Sequence, residues 1–327
     1  MDAAAIAGTH TLPPLTRRSF AAALGISAVA AAAPRAAGAT PPTKMKLTLS
    51  CGAIGVRATQ IEAVEYAIRF GFEAVEADAG WLASAPEAAV QTLTARMLEH
   101  GIAWAQAGLS VEFRKGEEEF QRGLRALPAT AAALQRAGVS RVTTWLMPTH
   151  AALTYRENFR QHAARLRACA DVLGAHGCRL GMEYVGPKTL WSSARFPFIH
   201  TMREMKELIA EIGLSNVGFV LDSWHWYTAG ESAADLKTLT NRDVVSIDLN
   251  DAPVGIPLDQ QQDGSREMPG STGVIDIAAF LGALNSIGCD APARCEPFNA
   301  PLRAMAPDQA LGATIASLRR VFARAAG

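Results

Sequence analysis

From Met45 onward, short β-branched or apolar runs alternate with longer segments whose apolar residues recur at spacings of three and four. The short runs predict eight strands: Met45–Cys51, Phe72–Asp78, Ile102–Gly108, Arg141–Met147, Cys178–Val185, Val217–Ser223, Val244–Asp251 and Ala293–Phe298. Between them, IEAVEYAIRFG, AVQTLTARMLEHG, FQRGLRALPATAAALQRAG and ENFRQHAARLRACADVLGAHG read as amphipathic helices closed by Gly, and Asp308–Arg324 reads as the last helix. Strict alternation of strand and helix means parallel strands joined by crossover helices, and eight such units predict an α/β fold, a closed (β/α)8 TIM barrel. A doubly wound open sheet is the competing arrangement. Against it, the first strand is followed by SCGAIGVRA, which lacks the GxGxxG turn that cradles a dinucleotide pyrophosphate, and no Walker-type phosphate loop is present. No low-complexity linker interrupts residues 40–327, which read as one domain.

The first 39 residues obey a different pattern. Arg17 and Arg18, followed by Ser19 and Phe20, precede a weakly apolar Ala-rich run that ends in Ala37, Gly38 and Ala39. This order resembles a twin-arginine export signal, which implies cleavage after Ala39 and delivery of a folded protein to the periplasm by the twin-arginine export machinery. A membrane anchor is the alternative reading, but the run from Ala21 to Ala33 is shorter than the ~20 residues a span needs and is broken by Gly25 and Pro34. The apolar fraction of 49% excludes a disordered chain. Equal numbers of basic and acidic residues, 31 of each, give no electrostatic reason to expect a nucleic acid or an anionic membrane surface as partner. Five cysteines without a CxxC read as buried free thiols, with a Cys289–Cys295 disulfide as the lesser alternative. The pattern carries no signal for oligomeric state.

Strands buried in a parallel barrel have little room for charge, yet the last four each end on an acid. Glu183 stands in LGMEYVGP, Asp222 in GFVLDSWHWY, Asp248 and Asp251 in VSIDLNDAP, and Glu296 in ARCEPFN. Barrel enzymes build their sites at the C-terminal ends of the strands, so these carboxylates would converge on one volume. Unpaired there, they would raise one another's pKa values, and a divalent cation resolves the conflict. An all-oxygen set of Glu183, Asp222, Asp248 and Glu296 favours Mn2+ or Mg2+ over Zn2+. Taken singly, each acid has a plainer use as a helix cap or salt-bridge partner, and Asp251 in particular reads equally as the cap of a turn.

The stretches GMEY, LDSWHWY, DLND, PGSTGVID and CEPFN together resemble the sugar isomerase and epimerase superfamily with a xylose-isomerase-like barrel, which includes ketose 3-epimerases, inosose isomerases and inosose dehydratases. The resemblance runs from about Met45 to the C-terminus. It implies one divalent metal held by a Glu, an Asp, a His and a Glu on strands five to eight. Glu183, Asp222 and Glu296 match three of these positions, while Asp248 stands where the family has His. The resemblance further implies substrate contacts at His225 and Arg266. The carboxylate that epimerases carry six residues after the fifth-strand Glu is replaced by Thr189, beside Lys188, which reads as a substrate contact or a loop cap. Trp145, Trp224, Trp226 and Tyr227 are candidate stacking surfaces for a sugar ring, with the clustered WHWY group, Trp224 above all, the stronger case. The polar segment from Pro253 to Gly273 reads as a lid carrying Arg266.

Three functions remain open on this reading. One is a metal-dependent isomerase or epimerase of a keto sugar or keto-inositol, with Glu183 and Glu296 as base and acid beside a polarised carbonyl. The second is a lyase or dehydratase that continues from the same proton abstraction to β-elimination on a keto-inositol or 3-keto glycoside. The third is a sugar-binding barrel without turnover. In each the partner is a small neutral keto sugar, cyclitol or keto glycoside.

Overall fold

The computed structural model describes residues 43–326. The expected export signal, residues 1–39, lies outside the described residues. Eight strands, β1 Lys46–Leu49, β2 Ala74–Ala77, β3 Ala103–Gly108, β4 Arg141–Trp145, β5 Arg179–Glu183, β6 Val217–Asp222, β7 Val244–Leu249 and β8 Pro292–Cys295, pair in sequence order, and β8 pairs with β1 to close a barrel. Every pair in the barrel is parallel. Each observed strand falls inside its expected run or overlaps it closely. Those runs were too long mainly at their C-terminal ends, where the chain leaves the ladder to build the loops of the barrel mouth.

The helices start and stop where local chemistry dictates. Thr59, Thr154 and Thr201 each accept a hydrogen bond from the backbone N–H of the Glu three residues on, and that Glu reaches back to the Thr backbone, so α1 Gln60–Phe70, the long helix Tyr155–Ala175 and Met202–Ile212 all begin in capping boxes. Gly71 ends α1 at a φ of 74°, a left-handed conformation that costs Gly nothing. The Met202–Ile212 helix turns Met202, Met205, Leu208 and Ile212 onto the barrel, a spacing of three and four that makes one apolar stripe. No helix among the described residues is long and apolar enough to cross a membrane.

Three features of the mouth were not anticipated. Thr149–His150 and Phe196–Pro197 form a small antiparallel ribbon linking the loops that follow β4 and β5. A six-residue helix, Ser223–Thr228, starts immediately at the end of β6, with Asp222 as its N-cap through a bond from the Trp224 N–H. The long segment after β7 is latched at both ends of its excursion: Asp251 and Glu267 form a β-bridge, and the Asp251 carboxylate accepts from the backbone N–H groups of Ala252, Thr272, Gly273 and Ile275 at 2.8–3.0 Å. Asp251 is thus the turn-capping acid of the plainer expectation. All five cysteines are free; Cys169, Cys178, Cys289 and Cys295 are buried, and Cys51 is half-buried.

Candidate metal centre and active site

Strand register explains why the acids meet. Asp222 on β6 is paired with Asp248 on β7, and Asp248 is paired with Arg294 on β8. Directly paired residues of a parallel sheet share a face, so all three point into the barrel. Glu296 follows Arg294 by two and returns to the same face, and Glu183 ends β5 next door. One carboxylate oxygen from each of Glu183, Asp222, Asp248 and Glu296 lies within 4.8 Å of the others.

Two guanidiniums are threaded through this cluster. Arg266, buried, donates to Asp222 Oδ2 at 2.8 Å and to Asp263 Oδ1 at 2.8 Å, and its Nη1 stands 3.5 Å from Glu296 Oε2. Arg294 grips both oxygens of Asp248, at 2.6 and 2.9 Å, and reaches Glu296 at 2.9 Å and Glu76 at 3.1 Å. Asp222 is further held by Asn250 Nδ2 at 2.8 Å. Six carboxylates therefore surround two fixed cations, and negative charge is in excess. The excess falls on Glu183, whose buried Oε1 has no hydrogen-bond partner. Its pKa is pushed well above the usual carboxylate range by burial and then by Glu296, Asp222 and Asp248. Burial also raises Glu296 to about 8 against the pull of Arg294, and Asp222 to about 6 against that of Arg266. A buried orphan oxygen beside mutually repelling carboxylates is the environment a hard divalent cation neutralises, so the donor set fits one.

His225 is buried beside the cluster, its Nε2 3.8 Å from Asp222 and 4.0 Å from Glu183 and Asp263. The Gly186 N–H donates to its Nδ1 at 3.2 Å. Arg266 Nη2 stands 3.4 Å from Nε2, so both ring nitrogens face donors and a neutral ring accepts at only one of them. Burial, and then Arg266, hold it neutral by lowering its pKa well below the usual value. A side chain at position 186 is impossible without movement, since a Cβ there would lie 2.5 Å from the His225 carbonyl oxygen.

A cavity of ≈ 400 Å³ opens above the cluster, with Trp145, Glu183, His225, Asp263, Arg266 and Glu296 among its walls. Of the residues expected from sequence, Glu183, Asp222, Asp248, Glu296, His225 and Arg266 are brought together. Lys188 is exposed and does not line the cavity; its Nζ lies 3.6 Å from Asp259. Trp224 is fully buried beneath Arg266, whose guanidinium lies 5.4 Å from the ring centroid. The lone Trp145, rather than Trp224, Trp226 or Tyr227, faces the cavity, because the Ser223–Thr228 helix turns Trp224 and Trp226 into the core and only His225 of that group to the cavity. Thr189, in the position of the epimerase carboxylate, donates its hydroxyl to the Gln261 carbonyl at 2.7 Å. Sequence reasoning missed Arg294, Glu76, Asn250 and Asp263. Arg294 had a visible signal, a cation two residues before Glu296 in a strand expected to be buried.

Residues 64–321 match the family described as xylose isomerase-like TIM barrel. Among curated proteins, the inosose isomerase of Bacillus subtilis strain 168 is 26% identical over 177 residues, 53% of this chain and 58% of that one. The chain thus spans little more than half the length of that relative. A solved xylose isomerase domain protein from Alicyclobacillus acidocaldarius subsp. acidocaldarius is 30% identical with a TM-score of 0.75, covering 86% of this chain and 98% of that one. The IolI protein, solved with a bound zinc atom, shares the fold at 19% identity and a TM-score of 0.72 over 86% of this chain and 99% of its own.

Proposed function

We propose, from the premise that this chain belongs to the xylose isomerase-like TIM-barrel family, that it is a divalent-metal-dependent isomerase or epimerase of a keto sugar or keto-inositol. The observation that carries this reading is Glu183, a carboxyl on the wall of the cavity with a buried, unpartnered oxygen, its pKa raised by burial and by the neighbouring Glu296, Asp222 and Asp248. Inosose isomerase as a relative supports the same chemistry.

Glu183, Asp222, Asp248 and Glu296 would hold the cation, in competition with Arg294 at both oxygens of Asp248 and with Trp224, Asn250 and Arg266 at those of Asp222. Bound there, a divalent ion of the Mn2+ or Mg2+ kind supplies Lewis-acid polarisation of a substrate carbonyl. Glu183 takes the proton from the carbon next to that carbonyl. Glu296, held by Arg294 and near Arg266, would return a proton. The Arg266 guanidinium, beside His225, meets the negative oxygen that develops between the two transfers. Return to the neighbouring carbon gives an isomer, and return to the opposite face gives an epimer. A second reading, β-elimination from a keto-inositol or 3-keto glycoside, is favoured by Thr189, which puts a tethered hydroxyl where epimerases have a further carboxylate.

The test is exchange of the substrate's α-hydrogen for solvent deuterium, followed by NMR, across keto sugars, keto-inositols and 3-keto glycosides with Mn2+ present. Exchange with a rearranged sugar supports the isomerase, and exchange with a released leaving group selects the lyase. Glu183→Gln is expected to lower the exchange rate by about 10²–10⁴-fold. Absence of exchange with every compound would leave a sugar-binding barrel. We further propose that the chain works in the periplasm, supported by the Arg17-Arg18 segment. Cell fractionation should find the wild type outside the inner membrane and an Arg17→Lys, Arg18→Lys double variant retained inside; equal distribution of the two would refute it.

A further inference from the structure

A second cavity, ≈ 310 Å³, adjoins the first, and Trp145 and Met147 line both. These two are among the few large apolar side chains left exposed, at 41% and 40%. The walls of the second cavity include Asn158 and His162, both from the Tyr155–Ala175 helix, and both at least nine-tenths buried. Each carries a polar atom with no partner: Asn158 Oδ1 and His162 Nε2. His162 Nδ1 donates to the Asn158 backbone carbonyl at 2.9 Å, so Nε2 presents a lone pair. Burial keeps that ring neutral, drawing its pKa down to about 4.

Two buried acceptors without donors are costly unless something hydroxylic reaches them. The charged walls are already satisfied. Glu112 chelates Arg114 at 2.9 and 3.2 Å, the Trp145 carbonyl takes another Arg114 N–H at 2.7 Å, and Lys115 pairs with Glu119 at 3.3 Å. No cation is left over for a phosphate. The Arg114 guanidinium lies 4.5 Å from the Trp145 ring centroid and steadies the indole at the boundary between the cavities. An aromatic wall, two unpartnered acceptors buried just behind it and balanced charge describe a site for a neutral polyhydroxylated ring.

We propose that this second cavity is a subsite for a second, neutral sugar or cyclitol ring, joined to the keto ring at the carboxylate centre across the Trp145–Met147 boundary. The substrate class narrows accordingly to a keto glycoside. The link to a reacting keto ring rests on the proposed function; the subsite itself rests on Asn158, His162 and Trp145.

The experiment measures equilibrium binding, by calorimetry on the purified Mn2+-supplemented protein, of a panel of neutral disaccharides in different linkages and of their component monosaccharides. At least one disaccharide is expected to bind tenfold or more tightly than either monosaccharide. Asn158→Leu, which removes the buried acceptor at similar volume, should weaken that disaccharide by about three- to tenfold and leave the monosaccharides unchanged. Trp145→Ala, at an exposed position that leaves the core untouched, should weaken it similarly and guards against a folding defect in the first variant. No disaccharide preference in the wild type, or a preference that survives both variants, would overturn the subsite. The reaction is scored separately by deuterium exchange. Exchange on single rings without disaccharide preference keeps the proposed function and sinks the subsite; preference without exchange on any compound does the reverse.

Discussion

Arg294 is the hub of the carboxylate cluster. By holding both oxygens of Asp248 it occupies the strand-seven donor, and by reaching Glu296 and Glu76 it ties three acids to one guanidinium. Removing one partner of such a buried cluster strands the others, at a cost of about 3–5 kcal/mol. Arg294→Gln is therefore expected to lower the Tm of the metal-free protein by on the order of 10 °C in calorimetry. The same change frees Asp248, so Mn2+ affinity by titration should rise; unchanged affinity would mean that Asp248 is no part of the cation's surroundings. Acids were legible in the sequence because each ends an apolar strand, where a charge stands out. Their partners were not, since an Arg or Asn gains its role only from register with a strand that lies 28 to 46 positions away.

At the scale of an element, the segment after β7 shows how a loop can look like a lid and be built like a latch. Its length and polarity suggested a lid carrying Arg266, which stands beside Asp222 and Glu296. What the sequence hid is that Asp251 gathers four backbone N–H groups and that Gln261 and Arg266 are buried in the middle of the excursion. Bonds to a charged acceptor contribute more than neutral ones, roughly 1.5–3 kcal/mol each before the unpaired N–H groups regain water. Asp251→Ala should release the segment, and limited proteolysis should then cut between residues 253 and 265 at sites protected in the wild type. Turnover should fall with it, because Arg266 loses its frame; an unchanged digestion pattern would show that the Asp251–Glu267 bridge suffices. Helix starts depend on local chemistry instead, although the helices expected from sequence began at Ile61 and Glu157, past their caps, and the one at Met202 was not expected. Thr-x-x-Glu contains both halves of its own cap, so α1 and the helices beginning at Tyr155 and Met202 needed nothing from tertiary structure.

For the whole molecule, the buried acids couple stability to pH and to metal. A carboxyl whose pKa is raised on folding contributes stability that is complete below its unfolded pKa and lost as pH climbs through the folded one. Glu296, raised to about 8, Glu183, raised well above its ordinary value, and Glu231, raised to about 7 by burial, all act this way. His162 and His225, both lowered, act oppositely but are finished by about pH 6.5, their unfolded range. Between pH 6.5 and 8 the metal-free Tm should therefore fall, and Mn2+ should restore it most at the upper end. A Tm that is flat across that window and indifferent to Mn2+ would contradict the charge excess at the barrel mouth. The barrel itself was readable because its eightfold alternation is a property of the chain alone, whereas the second cavity depends on the ribbon between Thr149–His150 and Phe196–Pro197, pairs too short to announce themselves. One last consequence follows from the five unpaired thiols. In an oxidising compartment, a chain that opened even briefly would expose sulfurs free to cross-link in non-native pairs, and reclosure would be blocked by covalent chemistry. If the proposed export holds, this barrel would endure there by the slowness of its opening rather than by the depth of its equilibrium, and a reductant in the buffer should turn irreversible thermal inactivation into a recoverable one.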